Sequence, residues 1–306
     1  MKFRRSLFTP YSFLLPAIIL LSLTVLFPAI QAFALSFTSY EYDITQPPQW
    51  IGWENFIQLW QDKLFWKTIS NTLLYLVVVV PVLVIFPLGL AILVNQKLKG
   101  IDWFRTAFYT PVVISTIVAG IAWKALYAQN GLLNQLLQQL SKLLESINLN
   151  NQITIYLNTG IPWLTHPQFA LGSVILVTIW KGLGYYMVIY LAGLQSIAPE
   201  LYEAAAIDGV DGWQKHWDIT LPLMRPYLFL VAIISAISAT KVFEEVYVMT
   251  QGGPRNSSKT VIYYLYEQAF QDLNISYACT IGLVLFLGIL GLSIANLFLS
   301  RQTNKI

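Results

Sequence analysis

Cysteine occurs once in these 306 residues, at Cys279, and histidine twice, at His166 and His216. A single cysteine closes no internal disulfide and builds no cysteine-cluster metal site. The two histidines are far apart and have no ligand-spaced partners, so no metal centre is expected. Charge is scarce as well. Asp, Glu, Lys and Arg make up 11% of the chain, against about 25% in an ordinary soluble domain. A net charge of +3 is too small to signal a nucleic-acid partner, and none is expected. The chain also lacks Gly-x-x-x-x-Gly-Lys-Ser/Thr, the loop that cradles nucleotide phosphates. ATP hydrolysis by this chain alone is therefore not expected.

What is abundant is apolar mass: 56% of residues are hydrophobic, and the mean hydropathy is +0.60. A soluble fold would lack the polar surface to cover it. A membrane helix needs about 20 mostly apolar residues, and six stretches qualify: 12–36, 68–94, 105–127, 170–192, 226–248 and 276–300. Pro16, Pro28, Pro81, Pro87 and Pro111 fall inside them, which argues for a packed bundle whose neighbours satisfy the freed carbonyls. The first stretch has a basic start (Lys2, Arg4, Arg5) and an Ala-x-Ala triplet at 32–34. Its apolar run exceeds the roughly 7–15 residues of a signal peptide core, so a retained helix is expected.

Cations near span ends set orientation. Lys2, Arg4, Arg5, Lys97, Lys99, Arg105, Lys215, Arg225, Arg301 and Lys305 fall on one side; Lys63, Lys67, Lys142, Arg255 and Lys259 fall on the other. Both termini and the 203–222 loop are thus expected in the cytoplasm. On the outer side, residues 37–67 carry Trp50, Trp53, Trp60 and Trp66, either an interfacial aromatic belt or a docking surface. Leu132 to Leu144 has apolar residues at helical spacing, as an amphipathic helix at the interface would. Thr250-Gln251-Gly252-Gly253-Pro254 breaks the chain after the fifth span. No internal repeat is apparent, which counts against inverted-repeat transporters.

The polar island at 199–222 reads as a helix–turn–helix. Pro199 suits a first helical turn, and Glu200 and Glu203 favour its dipole. Ala204, Ala205 and Ala206 are strong helix formers, and Gly209 is placed for a left-handed cap. Asp211 is expected to cap a second short helix, Gly212 to Trp217, which Leu221-Pro222 ends. The spacing is Glu203-Ala204-Ala205, three residues, Gly209, nine residues, then Ile219-x-Leu221-Pro222.

That pattern resembles the motif of bacterial ABC-importer permeases, without departure. Leu191 to Pro199 resembles the family's approach to it. Val242 to Pro254 is similar to the close of the fifth span in the carbohydrate-importing branch, and Asn71-Thr72 to the start of the core, so the likeness covers about 68–300. The maltose, lactose and glycerol-3-phosphate permeases are the nearest in kind. The resemblance implies an all-α membrane protein of the type I importer fold, with six transmembrane helices and a cytoplasmic coupling helix. It implies three parts: 1–67, an N-terminal helix and outer loop; 68–300, the permease core; and 301–306, a cytoplasmic tail. The implied residence is the bacterial inner membrane, amid lipid. The implied partners are a second, related permease, two ATPase subunits and an extracytoplasmic solute-binding protein. No cofactor belongs to this chain; ATP and Mg bind the ATPase partner. Glu203, Ala204, Ala205, Asp208 and Gly209 are the implied coupling residues.

Ionisable residues inside spans default to functional candidates. For the solute path these are Lys181 with Tyr185 and Tyr186 in the fourth span, and Lys241, Glu244 and Glu245 in the fifth. Lys241 and Glu245 are spaced as an i,i+4 helix pair. Trp123, followed by Lys124, is a further candidate for stacking on a sugar ring. The same residues would serve as interfacial aromatics and snorkelling lysines. An ATP-driven importer of a sugar or sugar-like polyol fits best. An ion-gradient-driven secondary transporter, a membrane enzyme and a structural subunit are the alternatives. The secondary transporter needs a buried carboxylate relay and the membrane enzyme a convergent His/Asp/Glu set; neither is evident.

Overall fold

The structure, a computed structural model, describes residues 8–40, 47–96, 98–146 and 152–303. Lys2, Arg4, Arg5, Lys97 and Lys305 of the orientation argument lie outside the described residues. The chain begins with α1 (Phe8–Leu21), a π-wound turn and α2 (Phe27–Leu35). A two-stranded antiparallel ribbon, β1 (Thr38–Ser39) with β2 (Gln49–Trp50), leads to α3 (Glu54–Gln61). There follow α4 (Lys63–Val94), α5 (Ile101–Val113), α6 (Thr116–Leu126), α7 (Leu132–Ser146), α8 (Gln152–Thr159) and α9 (Pro167–Gln195). The remainder is α10 (Pro199–Ile207), α11 (Leu221–Leu223), α12 (Arg225–Thr240), α13 (Glu244–Met249), α14 (Val261–Tyr266) and α15 (Ile275–Thr303).

Among the described residues, four helices are long and apolar enough to cross a membrane unbroken, over Phe13–Leu35, Lys63–Val94, Pro167–Gln195 and Ile275–Ile294. Two of the six expected spans are not single straight helices. The 105–127 stretch is two helices that turn by 100° between Val113 and Thr116. There Ile114 is extended (ψ 130°) and Ser115 likewise (ψ 138°). The 226–248 stretch is also interrupted: α12 stops at Thr240 and α13 starts at Glu244. Thr240 turns its hydroxyl onto the carbonyls of Ala236 and Ile237, at 3.1 and 2.9 Å, a local bond that competes with helix propagation. Thr260 Oγ1 donates to the Val242 carbonyl at 3.1 Å, satisfying an acceptor freed by the break.

The chain divides into two compact units. The first comprises 1–63 and 265–288. Within it, Asn55 Nδ2 donates to the carbonyls of Ser36 and Thr38 at 3.0 and 2.8 Å. Asn55 and Leu59 are buried, so the opposite side of α3 presents Ile57 and Trp60. Phe37 stacks on Trp50 and meets Trp53 edge-on. Tyr277 donates its hydroxyl to Asp62 at 2.8 Å.

The second unit comprises 64–264 and 289–306. On α4 the buried residues Thr68, Thr72, Tyr75, Val79, Leu83 and Pro87 recur every three or four positions, one stripe of a helix whose other faces are also apolar. Such all-round hydrophobicity belongs to a membrane span. The α4 stripe meets Val174, Met187, Tyr190 and Val231 in the core. Outside the spans, α7 is amphipathic as expected, and buried Asn134 anchors it. Asn134 Oδ1 accepts from Ile161 N (3.0 Å) and Trp163 Nε1 (3.1 Å), while Nδ2 donates to the Ala128, Gln129 and Ile161 carbonyls.

Candidate functional site

The α5–α6 and α12–α13 breaks open onto one cavity of about 660 Å³. Its walls are α4, the α5–α6 break, the middle of α9, and the α12–α13 break. A broken helix frees backbone polar groups, and within a membrane such backbone is tolerated where it is buried in protein or lines a cavity.

Six of the seven expected path residues line this cavity: Lys181, Tyr185, Tyr186, Lys241, Glu244 and Glu245. Trp123 does not. It lies edge-on to Trp180 and against Tyr127, with ring centroids 5.4 Å apart in both cases. Lys124 points its Nζ at the Val248 carbonyl, 3.5 Å away. The i,i+4 pairing expected of Lys241 and Glu245 is also corrected. Lys241 caps α12 and Glu245 belongs to α13, so no continuous helix carries both. Among the described residues, none of the cavity's lysines and carboxylates closes an ion pair. The cavity thus offers cationic donors and anionic acceptors together.

Lys181 donates to Thr116 Oγ1, reaching from α9 to the first residue after the α5–α6 turn. Tyr75 and Thr178 hydrogen-bond through their hydroxyls and join α4 to α9 at the cavity wall. Ser235 and Ser238 add hydroxyls from α12. Tyr75, Thr116, Thr178, Ser235 and Ser238 were not anticipated from the sequence. The available signal was a hydroxyl within an apolar span, which also fits a side chain bonded to its own helix.

The 199–222 segment has a distinct geometry. α10 starts at Pro199 and ends in a Schellman cap: Gly209 N donates to Ala206 O (3.2 Å) and Val210 N to Ala205 O (2.8 Å). Gly209 has φ +80°, which a residue without Cβ adopts at no steric cost. Glu203, Ala204, Asp208 and Gly209 are exposed, whereas Ala205 is buried. Ala205 therefore faces inward, with the others presented outward. The second helix differs from expectation. Among the described residues Asp211 Oδ1 accepts only from Gly212 N (2.7 Å), and Gly212 is itself left-handed (φ +60°). A helix therefore cannot start comfortably there. The helical stretch opens at Gln214, is π-wound over His216–Thr220 and runs on through α11 past Pro222 to Leu223. Buried Thr220 Oγ1 meets Tyr202 Oη at 3.1 Å and His216 Nδ1 at 3.2 Å, tying the second helix to α10. Trp213 and Trp217 remain largely exposed.

Several long apolar helices, a cavity that gathers charged and hydroxyl side chains at two helix breaks, and a capped polar hairpin between α9 and α12 together define a solute permease. Comparison with known proteins specifies it. Residues 62–304 match the family described as binding-protein-dependent transport system inner membrane component, and the chain belongs to that family. It is 33% identical to the lactose transport system permease protein LacF of Rhizobium radiobacter, over 95% of this chain and 93% of that one. It is 32% identical to the arabinooligosaccharides permease protein AraP of Bacillus subtilis, over 95% and 88%. Its fold matches a chain of a bacterial ABC transporter involved in import of the acidic polysaccharide alginate, with a TM-score of 0.77, 25% identity, and coverage of 97% and 95%. The architecture is the type I importer permease fold, and the chain is a permease subunit of an ATP-driven ABC importer.

Proposed function

We propose that this permease imports a sugar or sugar-like polyol, and that the cavity between its two broken spans is its part of the solute path. The carrying observation is the convergence of Lys181, Lys241, Glu244, Glu245, Tyr185 and Tyr186 on that cavity. Charged and hydroxyl groups bind sugar hydroxyls, and aromatic rings cover the apolar faces of sugar rings. The named cargoes of its relatives, lactose and arabino-oligosaccharides, support this class. The transport work lies in alternating exposure of the cavity to either side, a rigid-body rearrangement of two packed states.

The hairpin is the point at which energy enters. A soluble ATPase grips the exposed face of α10 through Glu203, Ala204, Asp208 and Gly209, with Ala205 behind them as packing. ATP and Mg bind to that partner, and this chain holds no ATPase site. A second, related permease completes the path, two ATPase subunits drive it, and an extracytoplasmic binding protein delivers the solute. Both termini and the hairpin face the cytoplasm.

The test is uptake of labelled lactose and arabino-oligosaccharides by vesicles holding the chain with its co-purified subunits and binding protein. Uptake should require ATP and survive an ionophore. Collapse under ionophore with ATP present would support ion-coupled transport instead.

A further inference from the structure

Apart from the central cavity, α4 and α9 flank a second hollow of about 780 Å³ whose character changes along its length. On α4 its lining residues are Lys67, Asn71, Leu74 and Val78, spaced three and four apart and so on one face. On α9 the lining runs from Gln168 past Gly172 and Leu176 to Ile179. The polar residues gather at the start of both stripes, with Ser257 beside them. Beyond that end the walls are aliphatic. At 1.5 Å per residue the α4 stripe covers about 16 Å, close to one leaflet of a hydrocarbon core about 30 Å thick.

The polar end is cationic. Lys67 is exposed and donates one bond, to the Arg255 carbonyl at 2.9 Å; Arg255 is exposed too. Among the described residues no carboxylate lines the hollow. Ser257 Oγ is shut off from solvent and has no hydrogen-bond partner among the described residues, which leaves a buried hydroxyl short of an acceptor. Asn71, in contrast, uses its amide on the carbonyls of Asn256 and Lys259, at 3.0 and 2.9 Å, and so holds this loop against α4. The apolar trough is open: Leu74 is 53% and Leu176 47% exposed, and nothing lies within 4 Å of where a Cβ on Gly172 would be.

We propose that this groove binds one anionic phospholipid, with its phosphate at Lys67, Gln168 and Ser257 and an acyl chain along Leu74, Gly172 and Leu176. A free phosphate leaves the leaflet-length trough unexplained. A partner helix would cover the leucines and leave the lysine and the buried hydroxyl uncompensated. An anionic amphiphile satisfies both ends, and only the chain's residence in a membrane is assumed.

The test uses the full chain purified with its co-expressed subunits in detergent. Native mass spectrometry and thermal unfolding are followed as dioleoyl phosphatidylglycerol, dioleoyl phosphatidylcholine or glycerol 1-phosphate is added. Phosphatidylglycerol should bind and raise the unfolding temperature, phosphatidylcholine should bind more weakly, and glycerol 1-phosphate should have no effect. Lys67→Gln and Gly172→Phe should each weaken phosphatidylglycerol by about tenfold, equivalent to 1.4 kcal/mol. Should Gly172→Phe not fold, Lys67→Gln and Ser257→Ala carry the test. Equal binding of the two phospholipids, or wild-type binding by these variants, overturns the proposal. So does near-complete crosslinking of Leu176→Cys, on a Cys279→Ala background, to another protein subunit.

Discussion

Gly184 of α9 lies so close to Phe108 of α5 that a Cβ on the glycine would sit 2.1 Å from the Phe108 carbonyl oxygen. The obstacle is backbone, and it cannot rotate away as a side chain would. Contact of this kind lets two membrane helices approach closely, and it holds α5 against the part of α9 that carries Lys181 and Tyr185. Gly184→Ala is expected to destabilise the chain by about 1–3 kcal/mol, the usual cost of overpacking. Gly172→Ala, on the same helix with open space around it, should be neutral. Thermal unfolding of the two variants side by side checks this; equal midpoints would mean that α5 and α9 are not in contact there.

Asn134 gives a second stability prediction. It is 1% exposed and its Oδ1 serves both Ile161 N and Trp163 Nε1. Asn134→Ala removes the acceptor from two donors at once, and an unsatisfied buried group costs about 1–3 kcal/mol. Hydrogen exchange at Ile161 should quicken, while α10 keeps its protection. Unchanged exchange at Ile161 would show that water replaces the asparagine without cost.

The parts of this fold most legible in the sequence were those set by composition and local spacing. Long apolar runs gave α4, α9 and α15, because a membrane span needs little beyond length and hydrophobicity. Pro199 and Gly209 gave the bounds of α10, because each has a backbone preference that acts locally. The two broken spans were not legible. The 100° turn between Val113 and Thr116 is made by Ile114 and Ser115, neither proline nor glycine, and Pro111 lies before it within the helix. It is held by Lys181, distant in sequence, through Thr116. Likewise the Val242 carbonyl at the second break is satisfied by Thr260, eighteen positions on. Hydropathy averages over such features, and it shows neither that Trp123 lies outside the cavity nor that Lys241 and Glu245 belong to different helices.

Lys181 and Thr116 make a third prediction, which rests on the proposed solute path. If Lys181 acts by holding the α5–α6 turn, Lys181→Met and Thr116→Val should each lower uptake, and the double variant should be no worse than the more severe single one. Side chains in direct contact show interaction energies of about 0.5–3 kcal/mol in such cycles. A double variant whose losses simply add would assign Lys181 to the cargo and not to the turn.

The last prediction concerns the hairpin. Gly209 has φ +80° and nothing within 4 Å of where its Cβ would stand. Substitution there meets no steric obstacle from the rest of the molecule, so its effect is confined to the backbone of one cap. A residue with a Cβ pays about 1–2 kcal/mol in the left-handed region, and a β-branched one more, whereas asparagine tolerates it. Gly209→Val should therefore loosen the Schellman cap and displace Asp208 and Val210, leaving the spans untouched. Membrane insertion and thermal stability should stay near wild type, while uptake and solute-stimulated ATPase activity both fall. Gly209→Asn should restore much of both, a recovery that merely reduced bulk would not explain. Gly209→Val vesicles with normal uptake and normal ATPase stimulation would remove the hairpin from the coupling mechanism.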